Sequence, residues 1–151
     1  MKTMVAIFVM LFAGTGLAAE TPPAAQMPND ALHMNAGKAV DAGDVKVAKA
    51  TGPDARTVAE VIEKKGALKD KSVAVRGKVV KFTAGVMGKN WVHLRDGSGS
   101  AKDNTHDVVV TTQDETKVGD VVVVRGVVRT DVNLGSGYFY AVLIDDAKLQ
   151  M

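Results

Sequence analysis

Apolar residues, alternating with polar ones as in residues 90–96 or gathered in short unbroken runs as in 107–112, mark five stretches of this chain, at residues 72–83, 90–96, 107–112, 118–130 and 138–149. A period of two marks an extended strand with one face buried, because successive side chains point to opposite sides of the backbone. Each stretch is rich in β-branched or aromatic residues, which reinforces the assignment. Gly77 and Gly126 fall inside the first and fourth strands, where glycine marks a bend, a bulge or a close approach of backbones. The breaks between strands carry turn chemistry: Asp96-Gly97-Ser98-Gly99, Val118-Gly119-Asp120 and Asn133-Leu134-Gly135-Ser136-Gly137. Long, bent strands joined in this way predict a small closed all-β barrel.

A different period precedes the strands. Thr57-Val58-Ala59-Glu60 fits a capping box, in which the threonine hydroxyl and the glutamate carboxylate each satisfy an orphan backbone donor. Val58, Val61 and Ile62 then share one face of a short helix that Gly66 is placed to end. A helix of two or three turns is unstable alone and must dock on the sheet. Residues 20–55 show no sustained period and are rich in Ala, Gly, Pro, Asp and Lys, which predicts a flexible leader. Within it, Val45-Lys46-Val47-Ala48 could add a short edge strand, and Met27, His33 and Met34 form a loose group of sulfur and imidazole. Residues 1–19 combine a basic start at Lys2, an apolar run from Met4 to Ala13 and a small-residue exit, the layout of a cleaved signal peptide. The run is too short for a permanent anchor, so the expectation is a periplasmic or secreted protein with a single folded domain at 56–151 and no stable membrane anchor after cleavage.

Within the second strand, Val92 and Leu94 face the core, so Trp91, His93 and Arg95 share the outer face. Burial in the barrel interior cannot account for a tryptophan there. The segment from Met87 to Gly99 holds the only tryptophan, beside a methionine, a histidine and cations, and is the foremost candidate binding surface; the alternative is that Trp91 covers a barrel edge.

Composition narrows the chemistry. With 19 Lys and Arg against 17 Asp and Glu, the charge is nearly balanced, so any polyanion must be held by a local patch. The absence of cysteine removes disulfides, thiolate metal ligands and a lipid-modified cysteine. Gly97 and Gly99 lack the lysine and helix of a phosphate-binding P-loop. The candidate acids Asp96, Asp107, Asp145 and Asp146 fall at turns or strand ends, and neither His93 nor His106 has a recognisable nucleophile beside it, so the reading is of a protein that is not an enzyme.

The segments Trp91-Val92-His93-Leu94-Arg95-Asp96-Gly97-Ser98-Gly99 and Val118-Gly119-Asp120-Val121-Val122-Val123-Val124-Arg125-Gly126, set among five strands, resemble an OB-fold. More narrowly, the chain resembles small exported bacterial OB-fold proteins with a Met-Gly-Lys-Asn-Trp-x-His-x-x-Asp-Gly segment, often described as nucleotide- or DNA-binding. The resemblance covers about Thr57 to Asp146 and implies a five-stranded Greek-key barrel. One departure stands out: Gln113 to Lys117 is too short for the helix that usually joins the third and fourth strands, so the helix at Thr57 would cap the barrel instead.

OB-folds bind on the face of strands two and three. The resemblance therefore gathers Lys89, Trp91, His93 and Arg95, with Arg76, Lys78 and Phe82 from the first strand and Tyr138 or Tyr140 from the last loop. Cations can follow phosphates while aromatic rings stack bases, a combination suited to single-stranded nucleic acid or a nucleotide-like ligand without a cofactor. Surface cations also keep sheets soluble, which is an alternative role for Arg76 and Lys78. A second reading uses Met87 and His93 as ligands for a copper(I) or silver(I) ion capped by Trp91, a donor set similar in type to that of small copper-carrying periplasmic barrels. A third makes Trp91 the anchor for a protein partner.

Overall fold

The computed structural model describes residues 44–151. The expected signal peptide, the leader up to residue 43 and the Met27, His33 and Met34 group lie outside the described residues.

The valine-rich alternation does build five strands: β1 (Ser72–Val86), β2 (Lys89–Arg95), β3 (Val108–Thr112), β4 (Val121–Gly135) and β5 (Tyr138–Gln150). They are hydrogen-bonded in the order β1-β2-β3-β5-β4, and β4 pairs with β1 to close the sheet on itself. All pairings are antiparallel except that of β3 with β5. Closure is possible because β1 serves two neighbours in succession. Ser72 to Lys78 pairs with β4, whereas Lys78 to Val86 pairs with β2, with a register shift between Val79 and Lys81.

Side chains from every strand meet inside, among them Val75 and Val79 of β1, Leu94 of β2, Val110 of β3, Val124 of β4 and Ile144 of β5, all completely buried or nearly so. Gly77 and Gly126 are explained by packing in this interior. A Cβ on Gly77 would lie 2.6 Å from Leu94 Cγ, and one on Gly126 would lie 2.7 Å from Ile144 Cγ2. Neither needs an unusual backbone conformation; each makes room for a neighbour.

Two short helices precede the sheet, α1 (Val58–Glu63) and α2 (Lys65–Leu68). The capping box forms as its sequence predicts, with Glu60 N–H donating to Thr57 Oγ1 at 3.1 Å and Thr57 N–H donating to Glu60 Oε2 at 2.8 Å. The remaining orphan donors of the first turn are met from the loop after β2. Val58 N–H donates to Asp96 Oδ2 at 2.9 Å, and Ala59 N–H donates to Ser98 Oγ at 3.0 Å. Asp96-Gly97-Ser98 is thus a docking platform for the helix as well as a turn. Held there, Val58 and Val61 enter the strand core with zero exposure, which supplies the stability that so short a helix lacks. Gly66 does not end the helix. α1 stops at Glu63, and Gly66 lies inside α2, an extra turn that carries Leu68 to the core.

Ordered packing begins before Thr57. Ala55 is buried and bridges Ala74 of β1, and Val47 N–H donates to the Asp96 carbonyl at 2.9 Å. Val45-Lys46-Val47-Ala48 forms no strand, contrary to expectation. It passes so close to the turn after β2 that a Cβ on Gly97, itself at φ +91°, would overlap the Val45 carbonyl. Between β3 and β4 the described chain forms turns and no helix, in line with the short spacing there.

Candidate functional site

β4 and β5 extend beyond the barrel as a long hairpin, and this extension covers the outer face of β2 and β3. Val132 and Leu134 of β4, with Tyr140 and Leu143 of β5, pack on Trp91 and Val109 to form an apolar cluster separate from the barrel interior. Val92 and Leu94 belong to the interior, so Trp91 does point outward, as the alternation requires. Its expected exposure is corrected: Trp91 is only 6% exposed. Its ring stacks on Tyr140 at a centroid distance of 5.5 Å and an interplanar angle of 28°. Its indole N–H donates to the Val86 carbonyl at 2.8 Å, so the polar end of the ring is satisfied as well. Burial, assisted by the charge of Tyr138, pushes the Tyr140 phenol up to about 12.

Beside this cluster opens a cleft of about 400 Å³. Its apolar lining comes from Met87, Trp91, Val132, Leu134 and Leu143. Its polar lining comes from two ion pairs with two threonines, Thr111 and Thr130, and Lys69. Lys89 Nζ donates to Asp145 Oδ1 at 2.7 Å, and the Thr111 hydroxyl donates to the same oxygen at 2.5 Å. Arg129 Nη1 donates to Asp70 Oδ1 at 2.6 Å. Burial works to raise the Asp145 carboxyl, but the hydrogen bonds from Lys89 and Thr111 outweigh it and hold the group below the usual carboxylate range. Met87 sits at the tip of the β1–β2 hairpin, where both Met87 (φ +53°) and Gly88 (φ +73°) are left-handed, as a tight two-residue hairpin turn demands. The thioether is 57% exposed on the cleft's edge.

The structure distributes the sequence-predicted residues over several places. Met87, Lys89 and Trp91 line the cleft. His93 and Arg95 lie farther along the outer face of β2 and are joined by Asp107: His93 Nδ1 is 2.8 Å from Asp107 Oδ1, and Arg95 Nε donates to Oδ2 at 3.0 Å. Lys78 is the cross-strand partner of Arg95, and Arg76 is exposed farther back on β1. Phe82 is corrected in direction: it pairs with Val92 and packs against the barrel interior, because the register shift after Val79 reverses which side its strand position faces. Of the two candidate tyrosines, Tyr138 is half-buried at the start of β5, outside the cleft, and Tyr140 makes the aromatic contact with Trp91. Met87 and Trp91 therefore meet at the cleft, whereas His93 is held by Asp107 and does not line it. Among the described residues no group of three or more His, Cys, Asp or Glu could hold a metal ion.

The sequence does not single out Thr111, Lys69, Arg129 or the hydrophobic pair Val132 and Leu134, and it offers Asp145 only as a strand-end acid that, with Asp146, could hold a cation. One signal does exist in the sequence: Val108-Val109-Val110 is an unbroken apolar run, the mark of a strand covered on both faces, and β3 is buried at all five positions. An outer face that is covered implies a second layer, and only the β4–β5 extension is long enough to provide it.

The Asp107 cluster carries a pH dependence. Burial works to raise the Asp107 carboxyl, but hydrogen bonds and charge from His93 and Arg95 overcome it and hold it below the ordinary value. A carboxylate depressed in the folded state contributes stability in full above its unfolded pKa of about 3.9, and that contribution is lost as pH falls through the lower folded value. Asp107→Asn is expected to cost about 2 kcal/mol at neutral pH, the order of a hydrogen bond to a charged group, and to shrink the difference between neutral and acidic stability. Glu60, Asp114 and Asp145 are also held low, so part of the acid sensitivity stays in the variant. Urea denaturation at neutral pH and near pH 3 checks this; an unchanged difference between the two would contradict it.

Comparison of the chain with protein-family models, with curated proteins and with solved structures gives no match in any of the three.

Proposed function

We propose that this chain is an exported, non-catalytic binding module of the OB-fold type that takes a nucleotide, free or at the end of a single strand of nucleic acid, in the cleft beside Trp91. One observation carries the reading. The cleft lies on the outer face of β2 and β3, between the β1–β2 hairpin that supplies Met87 and the β4–β5 hairpin that supplies Val132 and Leu134. That is where OB-folds take oligonucleotides. The strand order, with β3 parallel to β5 and β4 returning to β1, supports the same fold type.

Chemistry agrees with position. An apolar floor suits a planar base, and the charged lining has three cations, Lys69, Lys89 and Arg129, against two carboxylates, Asp70 and Asp145. The surplus of one positive charge suits one phosphate group. Lys89 and Arg129 are already paired within the cleft, which leaves Lys69 as the cation to meet it. Arg76, Lys78 and Arg95 continue along the neighbouring strands and could follow a longer backbone. Export rests on the N-terminal pattern of Lys2, the apolar run and the small-residue exit.

The nucleotide reading outranks a protein-docking role for Trp91, since a ring 6% exposed and covered by Tyr140 has little surface with which to anchor a partner. It outranks copper(I) or silver(I) binding because His93 is engaged by Asp107 while Met87 stands at the cleft. Titration of mononucleotides and of a short single-stranded oligonucleotide, followed by Trp91 fluorescence at two salt concentrations, tests it. A saturable change that weakens with salt is expected; no response to either ligand at low salt overturns the proposal.

A further inference from the structure

Asp145 occupies an unusual position for a carboxylate in a cleft that should receive an anionic ligand. Both of its side-chain hydrogen bonds, from Lys89 Nζ and from the Thr111 hydroxyl, fall on Oδ1. No side chain among the described residues donates to Oδ2. Thr111 is itself fixed, being 2% exposed and accepting the Asp146 N–H at 3.1 Å. The side chains therefore hold the carboxylate through one oxygen, with the Asp146 backbone N–H adding to the stabilisation of its charge, beside an apolar floor and a lysine ammonium that has further N–H groups to give. A base entering the cleft meets a donor and an acceptor side by side.

We propose that Lys89 and Asp145 make the cleft selective for guanine, an inference that rests on the nucleotide reading above. Every base can satisfy this pair once, by placing an acceptor toward Lys89 and an N–H toward Asp145 Oδ2. Guanine alone offers an acceptor followed by two adjacent donors: O6 meets Lys89, while N1–H and the 2-amino group both point at Oδ2. Thymine and uracil set a carbonyl oxygen where guanine has its 2-amino group, and that oxygen faces the carboxylate in repulsion. Adenine and cytosine have one amino donor beside a bare ring nitrogen. Because Lys89, Thr111 and the Asp146 backbone N–H keep Asp145 ionised, it is an acceptor only, and it cannot adapt to an oxygen by donating.

The decisive ligand is inosine monophosphate, which keeps O6 and N1–H and lacks the 2-amino group. In fluorescence titrations of the full chain, guanosine monophosphate should bind about tenfold more tightly than inosine or uridine monophosphate, the order of discrimination that a base-edge contact provides. Asp145→Asn should reduce guanosine monophosphate affinity to the level of inosine monophosphate. Equal affinity of the wild-type chain for guanosine and inosine monophosphate overturns the selectivity and leaves the nucleotide reading intact. Failure of the wild-type chain to bind any of the three overturns both. Because the ligand comparison uses the unaltered protein, the outcome does not depend on whether the Asn variant folds.

Discussion

Replacing Trp91 with alanine is expected to lower the unfolding free energy by about 3–5 kcal/mol, the usual range for emptying a buried aromatic site. The reason lies in the second apolar cluster. Trp91 is the surface on which Tyr140 stacks and against which Val132 and Leu134 of the hairpin extension pack. Removing it opens a space between that hairpin and the barrel, and the indole's hydrogen bond to the Val86 carbonyl is lost with it. The barrel interior around Val75, Leu94 and Ile144 makes no direct use of the ring. The loss should therefore be local before it is global. Amide exchange should accelerate first at Val132, Leu134 and Tyr140, while Val75 and Leu94 keep their protection at mild temperature. Chemical denaturation together with hydrogen exchange checks both parts. A cost below about 1 kcal/mol, a range typical of surface substitutions, would mean that the hairpin extension does not cover the tryptophan.

Gly126→Val should be comparably damaging for the opposite reason. Here the barrel has no space to give. The first added carbon would stand 2.7 Å from Ile144 Cγ2, 2.9 Å from Ala147 Cβ and 2.9 Å from the Asp145 carbonyl, and two more methyl groups follow it. Overpacking of a filled interior costs about 1–3 kcal/mol and occasionally more, and this site belongs to the upper end because one of the three neighbours is backbone. The position is also where β4 and β5 change register, between Arg125 and Val127, so the strands have little freedom to slide apart. Displacing the Asp145 backbone would carry its carboxylate away from Lys89 and Thr111. The variant should consequently lose ligand affinity as well as thermal stability. Gly66→Ala is the contrasting control, since a Cβ there meets nothing within 4 Å. Thermal melts of the two variants should separate clearly; similar melting temperatures would contradict the packing argument.

The two substitutions also mark what a sequence can and cannot reveal of this fold. Period-two alternation in β2 and runs of β-branched and aromatic residues in the others locate all five strands, because both signals are local to the strand. The capping box at Thr57 is legible for the same reason, as its two hydrogen bonds span three residues. The identity of the partner for the rest of the helix N-terminus is not local. Asp96 and Ser98 are 38 and 39 residues away from the amides they accept, and nothing in their own neighbourhood distinguishes a helix dock from an ordinary turn.

Trp91 illustrates the limit most clearly. Alternation gives its direction correctly, outward from the barrel, but outward is not the same as exposed. The covering layer is made by Tyr140, Val132 and Leu134, which reach it only because β4 and β5 run past the barrel end. Phe82 shows a second kind of limit. A single register shift after Val79 turns it inward, and one residue of slip exchanges the two faces of a strand. Met87 and Lys89 are legible as neighbours of Trp91 at the cleft because the hairpin turn that presents them is short. Asp145 is not, since its role depends on Thr111 and Lys89 arriving from two other strands.

The cleft beside Trp91 is the proposed place where this protein meets its ligand. Backbone amide chemical shifts of the isotopically labelled chain, recorded during titration with guanosine monophosphate, test it most directly. The expected result is a saturable set of shifts at Met87, Lys89, Trp91, Thr111, Val132 and Asp145, with Val73, Val108 and Val122 in the barrel interior unmoved. Shifts confined instead to residues around His93, Arg95 and Asp107, or no shifts at all at ligand excess, would contradict it.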